Sequence, residues 1–180
     1  MNTILPEGFI YIPKFISNTE IKYLIGKISN LDWQQVVMHG IVAKRRVVHF
    51  GLVYTYTTRQ VKQTTQIPDF LYKYIEKAAV QMGISALGIV EILITEFPVG
   101  AGIGWHKDAA IFGDKVFGFS LCGTCTLKFR IKLKDNYEIF KVELIPGSAY
   151  ILSGAARNEW QHSISPVKVP RYSITFRTLR

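Results

Sequence analysis

A histidine and a carboxylate lie two residues apart in the segment GIGWHKDAAI, residues 102–111. If this segment is extended, His106 and Asp108 project to one face, where an imidazole and a carboxylate can bind one divalent metal ion. Such pairs are common at strand ends, so further ligands are needed. His162 in NEWQHSISP is a candidate, although beside Trp160 it also fits a structural histidine. Together the three would form the two-histidine, one-carboxylate set that leaves positions open on a non-haem Fe(II).

A second candidate site is the segment RYSITFR, residues 171–177, where two arginines stand six positions apart. On a strand, Arg171 and Arg177 share one face, together with Ser173 and Thr175. If that face is solvated, the arginines are ordinary surface charges. If it lines a barrel, burying them is costly unless an anion meets them. Arginine binds carboxylates in a bidentate fork, so a dicarboxylate co-substrate would meet this requirement.

Two helices near the N-terminus are among the elements that must position these residues. The segment SNTEIKYLIGKIS predicts a helix, with Ser17 and Glu20 as its capping box. The segment PDFLYKYIEKAAVQMG predicts a second helix, which Pro68 opens and Gly83 ends. We expect both helices to cover one face of a sheet.

The rest of the chain has strand patterns, in the segments RVVHFGLVYTYT, IVEILITEF, TLKFRIKLK, EIFKVELI, SAYILSG and RYSITFRTL. In TLKFRIKLK, apolar and basic residues alternate cleanly. A turn at Asp135–Asn136 leads into EIFKVELI, so these two segments predict a hairpin. Helices followed by many strands indicate an α+β, mainly β fold, with an antiparallel sandwich or barrel.

The composition is that of one packed globular domain, since 48% of the 180 residues are apolar and 19% are charged. No apolar run approaches the roughly 20 residues of a membrane span, and the N-terminus lacks the basic start of a signal peptide. Cys122 and Cys125 form a single C-x-x-C motif without the further ligands that a zinc site needs. We therefore expect two reduced thiols in a cytosolic protein.

The chain is strongly basic, because 22 lysines and arginines outweigh 13 acidic residues and give a net charge of +9. Nucleic acid is the first partner to suspect, since clustered basic side chains neutralise phosphates and release counterions. A basic surface that is merely soluble is the alternative, and net charge alone does not decide between them.

The H-x-D pair, the distant histidine and the two arginines, which begin nine residues after that histidine, resemble the AlkB family of Fe(II)/2-oxoglutarate dioxygenases. ITEFPVGAGIGWHKD resembles that family's approach to its metal pair. SAYILSGAARNEWQHSISPVKVPRYSITFR resembles its second histidine and arginine strand, and AKRRVVHFG resembles part of its nucleotide-recognition lid. The resemblance covers about residues 40–180.

The resemblance implies a double-stranded β-helix, a jelly-roll barrel with supporting N-terminal helices. It implies a single domain over residues 1–180, with an N-terminal extension and lid over 1–65 and a helix and catalytic barrel over 66–180. The cofactor would be Fe(II), with 2-oxoglutarate and O2 as co-substrates. The reaction would be oxidative demethylation of N-alkylated bases in DNA or RNA, with release of formaldehyde and succinate.

The family's site residues transfer to matching positions of this sequence. The catalytic metal ligands would be His106, Asp108 and His162. Arg171 would pair with the distal carboxylate of 2-oxoglutarate, and Arg177 would lie near the metal. Three further co-substrate positions hold residues that differ from the family's. Thr95 and Phe97 stand where many members have Asn and Tyr, and Ser173 stands where some have Asn. Ala110 replaces a second acid that contacts the target base in the best-studied bacterial type, which puts the base preference in question.

A target base must leave the duplex or come from a single strand to reach such a site. The candidate side chains for stacking on it are Trp33, His49, Phe50, Tyr54 and Tyr56, and those for binding phosphate are Lys44, Arg45, Arg46 and Lys107. The AKRR run is equally typical of a solvated turn. His39 has no partner pattern and is expected at the surface.

The partner is therefore expected to be alkylated DNA or RNA, bound by a monomer in the cytoplasm, or in the nucleus of a eukaryotic cell. No membrane partner is expected. Two alternatives stay open on the same sequence features. One is a 2-oxoglutarate oxygenase that acts on a protein, a lipid or a small molecule, and the other is a binding barrel that has lost catalysis.

Overall fold

The structure is a computed structural model that describes residues 5–38, 40–55 and 60–180, and of Met38 only the backbone. His39 and Tyr56, which were assigned from the sequence to the surface and to base stacking, lie outside these ranges. The helices are α1 Asn18–Ile28, α2 Tyr72–Met82 and α3 Gly154–Asn158. The strands are β1 Phe9–Ile12, β2 Gln34–Met38, β3 Ile41–Thr55, β4 Gln60–Gln63, β5 Glu91–Phe97, β6 Ile103–His106, β7 Phe112–Leu121, β8 Cys125–Leu133, β9 Asn136–Leu144, β10 Ala149–Leu152, β11 Gln161–Ile164 and β12 Arg171–Leu179.

Two antiparallel sheets form the body of the fold. The larger sheet has the strand order β1-β10-β7-β12-β5-β3-β2, with β4 paired to β3. The smaller sheet has the order β6-β11-β8-β9. The expected mainly β architecture is therefore confirmed. β1 pairs with β10 and β3 pairs with β5, so the first 65 residues contribute strands to the larger sheet. The expected division at residue 65 does not separate an extension from the barrel, because it cuts through this sheet.

The helices α1 and α2 pack on one face of the larger sheet, as predicted. Their buried residues share a core with Phe117 and Phe119 of β7 and with Ile174 and Phe176 of β12. The opposite face of the larger sheet meets the smaller sheet in a second core, to which Phe129 contributes. Because side chains alternate along a strand, each central strand sends one set of residues to the helices and the other to the space between the sheets.

The local signals for the helices and the hairpin are largely confirmed. A 3₁₀ turn at Asp69–Leu71 precedes α2, and Gly83 ends that helix in the left-handed region with φ of 63°. The hairpin joins β8 and β9, but its turn residues are Lys134 and Asp135 rather than Asp135 and Asn136. Leu133 pairs with Asn136, and Lys134 takes a φ of 44°. None of the helices in the described ranges is long and apolar enough to cross a membrane.

Glu20 joins the start of α1 to α2. Its carboxylate accepts a hydrogen bond from the Ser17 backbone N–H at 2.9 Å, while the Ser17 hydroxyl accepts one from the Glu20 N–H at 3.2 Å. Lys73 Nζ lies 2.8 Å and Lys77 Nζ 3.5 Å from the same carboxylate. The hydrogen bond from Lys73 and then that from the Ser17 backbone lower the pKa of Glu20 to about 2.

We predict that Glu20→Gln lowers the free energy of unfolding by about 1 kcal/mol near neutral pH, because Gln keeps the shape but not the charge. The folded-state pKa is below the unfolded one, so this stability is complete above about pH 4.3 and is lost as the pH falls toward about 2. Urea unfolding across this range should show the two proteins converging at acid pH. Glu76→Gln, an exposed change on α2, is the control and should have little effect at any pH. A difference that keeps its full neutral-pH size at pH 2 would contradict the assignment.

Candidate metal centre and anion site

The arginine face of β12 points into the space between the sheets. Arg171 is 1% exposed and Arg177 is 8% exposed, and Ser173 and Thr175 between them are also buried. The alternate residues Ile174 and Phe176 face the helices. The sequence left open whether this face is solvated or lines a barrel, and the structure shows that it lies in the interior. Both guanidinium groups therefore need compensation there.

The candidate metal ligands come from two paired strands and one loop. His106 on β6 lies directly opposite His162 on β11, and their ring centroids are 4.2 Å apart. The candidate ligand atoms of His106, Asp108 and His162 all lie within 4.8 Å of one another. The strand ends at His106, however, so Asp108 reaches the group from the following loop rather than from a shared strand face.

The protonation states of this group suit a divalent metal. Burial alone would raise the pKa of Asp108, but the charge of Arg177 and then of the two histidines holds it well below its usual range. Burial is the main reason that the pKa of His162 falls to about 4. A carboxylate and a neutral imidazole are the forms that bind metal. His106 Nδ1 lies 2.9 Å from the Gly104 carbonyl, so a proton on Nδ1 leaves Nε2 free as a ligand.

Arg177 links the candidate metal centre to Glu91, an acid that sequence reasoning missed. Arg177 donates to both carboxylate oxygens of Glu91 at 3.2 and 2.9 Å, and to Asp108 Oδ1 at 3.2 Å. His49 Nδ1 lies 3.3 Å from Glu91 Oε1. Burial raises the pKa of Glu91, but Arg177 outweighs this and keeps it low. The sequence signal for Glu91 was its place inside the apolar run IVEILITEF, where an acid is expected to need a buried partner.

Arg171 has far less compensation than Arg177. One of its terminal nitrogens donates to Ser120 Oγ at 2.8 Å, and its guanidinium lies 5.0 Å from the centroid of the Phe97 ring. Its Nε and other terminal nitrogen are buried without a hydrogen-bond partner among the described residues. A buried guanidinium with two free donors is costly, and a carboxylate is the group that its fork matches. Thr95 on β5 and Ser173 on β12 pair with each other, two positions along from the pair of Phe97 and Arg171.

A second residue that the sequence reasoning missed is Tyr150 on β10. It pairs with Gly118 on β7, which in turn pairs with Thr175 on β12, between the two arginines. A Cβ at Gly118 would lie 2.5 Å from the Tyr150 hydroxyl oxygen, so the phenol lies across this glycine. Burial raises the pKa of Tyr150, whereas the charges of Arg171 and Arg177 lower it. The hydroxyl is therefore part of the same polar interior.

The residues predicted to bind nucleic acid do not form one surface, because alternation along β3 sends them to different faces. Phe50 as a stacking residue is wrong, since it is 4% exposed and packs in the helix-covered core. His49 faces the interior beside Glu91. Arg46 pairs with Glu96 and lies 5.9 Å from the ring of Trp33. Lys44 is exposed.

The remaining predicted residues have varied surroundings. Arg45 is half-buried, and Lys107 is exposed and donates to the Asn158 carbonyl at 2.9 Å. Tyr54 meets Phe112 edge-on at 6.1 Å. Of the residues that flank the ligands, Trp160 is part of the second core, whereas Trp105 lies beside Lys128 and Arg130. Cys122 and Cys125 are free thiols, as expected.

Residues 8–177 match the family model of the 2OG-Fe(II) oxygenase superfamily, and the chain belongs to this superfamily. It is 29% identical over 187 residues to the "Alkylated DNA repair protein ALKBH8 homolog" of Arabidopsis thaliana, which covers 91% of this chain and 52% of that protein. It is 26% identical over 170 residues to the "tRNA (carboxymethyluridine(34)-5-O)-methyltransferase alkbh8" of Xenopus tropicalis, with 91% and 26% covered. The chain thus spans about half the length of the first relative and a quarter of the second.

Solved structures with the same fold include that of OsALKBH1, with a TM-score of 0.73 at 17% identity over 97% of this chain and 100% of that one. A prolyl-4-hydroxylase from Pseudomonas putida gives a TM-score of 0.65 at 16% identity, with 96% and 93% covered. These likenesses confirm the double-stranded β-helix. The resemblance to AlkB is likewise confirmed. The superfamily to which the chain belongs uses Fe(II), 2-oxoglutarate and O2.

We predict that Glu91→Gln lowers the free energy of unfolding by about 3 kcal/mol, because it removes a buried charge that compensates Arg177. Glu96→Gln is the matched control on the same strand. Its partner Arg46 has a side chain that is 40% exposed, so its loss should cost less than about 1 kcal/mol. Urea unfolding of both variants measures the difference. Equal losses would show that Glu91 is not needed to compensate Arg177.

Proposed function

We propose that this protein is a Fe(II)/2-oxoglutarate-dependent oxygenase that hydroxylates alkyl groups on nucleic-acid bases. On an N-methyl group, 2-oxoglutarate and O2 would be consumed to give the hydroxymethyl base, succinate and CO2. The hydroxymethyl product then breaks down to the free base and formaldehyde. The observation that carries the proposal is the pairing of a His–Asp–His group, whose ligand atoms lie within 4.8 Å of one another, with a buried and incompletely paired Arg171 in one interior.

His106, Asp108 and His162 are the residues that would hold the iron, and their donor types match the facial set of non-haem Fe(II) enzymes. When bound, Fe(II) together with 2-oxoglutarate and O2 supplies the oxidising power for the hydroxylation of a C–H bond. Arg177 holds Asp108 and is itself held by Glu91, so its role is to position a metal ligand. Arg171 binds the distal carboxylate of 2-oxoglutarate through the donors that no described residue occupies.

Tyr150 supplies the hydroxyl that the interior lacks at Phe97. The Phe97 ring packs against the Arg171 guanidinium, so it offers packing but no hydrogen bond. The Tyr150 phenol approaches from the opposite side of β12, across Gly118. We therefore assign the hydroxyl of Tyr150 to the co-substrate in place of the family's tyrosine.

Nucleic acid is the substrate that two independent features favour. The net charge of +9 suits a polyanion. One relative is named for the repair of alkylated DNA, and another is named as an enzyme that acts on a tRNA uridine, although this chain spans only part of each. A base in DNA or RNA is therefore the proposed substrate, and a modified uridine in RNA is the second candidate. The free thiols fit a reducing compartment, and we propose a monomer in the cytoplasm or, in a eukaryote, in the nucleus.

The function is tested with single-stranded oligonucleotides that carry 1-methyladenine, 3-methylcytosine or 5-carboxymethyluridine, in DNA and in RNA. We expect base-dependent succinate formation, with formaldehyde from the N-methyl substrates and a hydroxylated base from the uridine. His106→Ala should abolish both, whereas Asp114→Ala, a change at an exposed residue that pairs with Arg180 and not with the ligand group, should not. Succinate formation that no nucleic acid stimulates would favour a protein, lipid or small-molecule substrate.

We predict that Arg171→Lys raises the 2-oxoglutarate requirement by about 10- to 100-fold, because lysine keeps the charge but loses the fork. Oligonucleotide affinity should stay close to that of the wild type. Steady-state assays with varied 2-oxoglutarate, together with oligonucleotide binding, separate the two effects. An unchanged 2-oxoglutarate dependence would make Arg171 a structural residue.

We predict that Tyr150→Phe weakens 2-oxoglutarate binding by about tenfold, the equivalent of one hydrogen bond to a charged group. Adding Phe97→Tyr to this variant should restore most of the affinity for 2-oxoglutarate, because it supplies a hydroxyl from β5, on the other side of β12. Calorimetry with the Mn(II)-loaded protein measures both steps without turnover. Tyr11→Phe is the control, since Tyr11 pairs with Tyr150 one strand further out. Equal effects of the Tyr11 and Tyr150 changes would contradict the assignment.

A further inference from the structure

The outer face of the smaller sheet carries a row of cations that the active site does not use. Lys128, Arg130 and Lys132 project outward from β8, because the intervening residues of that strand face the core. Lys141 on β9 lies directly opposite Lys128, and Tyr137 lies opposite Lys132. Like charges placed directly opposite each other in a sheet are destabilising, so this pair requires an explanation beyond the fold.

Aromatic rings alternate with these cations. The Arg130 guanidinium lies between two rings, 4.6 Å from the centroid of Trp105 and 4.5 Å from that of Tyr137. Its Nε donates to Gln161 Oε1 at 2.8 Å, which fixes its position. Lys128 Nζ lies 5.3 Å from the Trp105 ring. The row is therefore ordered by stacking and hydrogen bonding rather than by carboxylates.

The charge on this face is strongly one-sided. None of the four cations forms an ion pair with a residue in the described parts of the chain. Along β8 and β9 as described, Glu143 opposite Thr126 is the acid that shares the outer face. Four positive charges thus stand against one negative charge, which is complementary to a polyanion.

The row and the candidate metal centre lie on opposite faces of the same strands. Trp105 immediately precedes His106 on β6, and Gln161 immediately precedes His162 on β11. From β6 to β9 there are three strand spacings, or about 14 Å, which is room for a few nucleotides. A strand whose modified base enters the interior would therefore have its neighbouring nucleotides within reach of this row.

We infer that the outer face of the smaller sheet binds the single-stranded nucleic acid that flanks the target base. Lys128, Lys132 and Lys141 bind phosphates, and Tyr137, which is 50% exposed, stacks on a base. Arg130 holds the rings apart at a fixed spacing. Cations interleaved with aromatic rings suit bases and phosphates together, whereas an acidic protein surface would use the charges alone. This inference rests on the proposed nucleic-acid substrate, and it says where the nucleotides that flank the target base would bind.

The test compares the triple change Lys128→Gln, Lys132→Gln and Lys141→Gln with a control of equal charge. The control is Lys14→Gln, Lys22→Gln and Lys27→Gln, at exposed positions on and before α1, on the other side of the larger sheet. Fluorescence anisotropy of a single strand of about 15 nucleotides over a range of salt concentrations gives the affinity and its salt slope. The second readout is the ratio of kcat/KM for this strand to that for a trinucleotide with the same modified base. This ratio cancels any general loss of enzyme.

We expect the sheet variant to lose about two units of salt slope, at about 0.7 per phosphate contact, and at least about tenfold in affinity at moderate salt. Its advantage for long over short substrates should fall by a similar factor. The α1 variant should change neither. Tyr137→Ala should weaken binding by about tenfold, and Tyr137→Phe should not, because the ring is retained.

Equal behaviour of the two triple variants would overturn the inference, provided that the wild-type protein acts on oligonucleotides. If the wild type acts on no oligonucleotide of any length, the proposed function itself fails. A loss in the sheet variant that is the same for polyglutamate as for nucleic acid would assign the face to acidic polymers in general and would also overturn the inference.

Discussion

Two guanidinium groups buried six residues apart on one strand are the constraint around which the interior of this barrel is arranged. Arg177 is compensated by Glu91 and Asp108, which accept three hydrogen bonds from it through three carboxylate oxygens. Among the residues that the structure describes, Arg171 has only the Ser120 hydroxyl and the face of Phe97. Leaving a buried cation uncompensated costs several kcal/mol on the scale of whole-domain stability, so the difference between the two arginines is itself informative. Arg177 is a structural charge, whereas the open donors of Arg171 are the basis of the proposal that a ligand completes it.

The compensated arginine also sets the chemistry of the candidate metal centre. Because Arg177 joins Glu91 to Asp108, the aspartate is held as a carboxylate at the point where both histidines converge. The same burial that would penalise this charge keeps His162 neutral. The network therefore keeps Asp108 and His162 in the protonation states that bind a divalent metal. The cost of burying Asp108 is offset by Arg177 on β12, which Glu91 on the paired strand β5 holds in place.

The sequence predicted those features that depend on spacing within one segment. The capping box of Ser17 and Glu20, the stop at Gly83 and the alternation of β12 all follow from local chemistry. Features that depend on how strands pair could not be predicted in this way. The register of the larger sheet pairs Glu91 with Arg177. The same register pairs Gly118 with both Tyr150 and Thr175, on its two neighbouring strands.

The wrong predictions have the same physical origin. Phe50 follows a basic run and was predicted to stack on a base, but alternation along β3 turns it toward the helices, where burial of an aromatic ring is favourable. Asp108 was expected on a strand face with His106, but the strand ends at His106, two residues before Asp108. In both cases the residue type indicated the possible chemistry, whereas the direction of the side chain was set by how the strands pair and where they end.

The most direct measurement of the central claim is the affinity of the Mn(II)-loaded protein for 2-oxoglutarate compared with 2-oxopentanoate, which has the same chain length and keto acid but no distal carboxylate. Calorimetry without O2 measures both. If the free donors of Arg171 bind the distal carboxylate, 2-oxopentanoate should bind more weakly by about 10- to 100-fold, the equivalent of a charge-assisted pair. Equal affinities would contradict the account, because they would mean that no group in the interior recognises the second carboxylate.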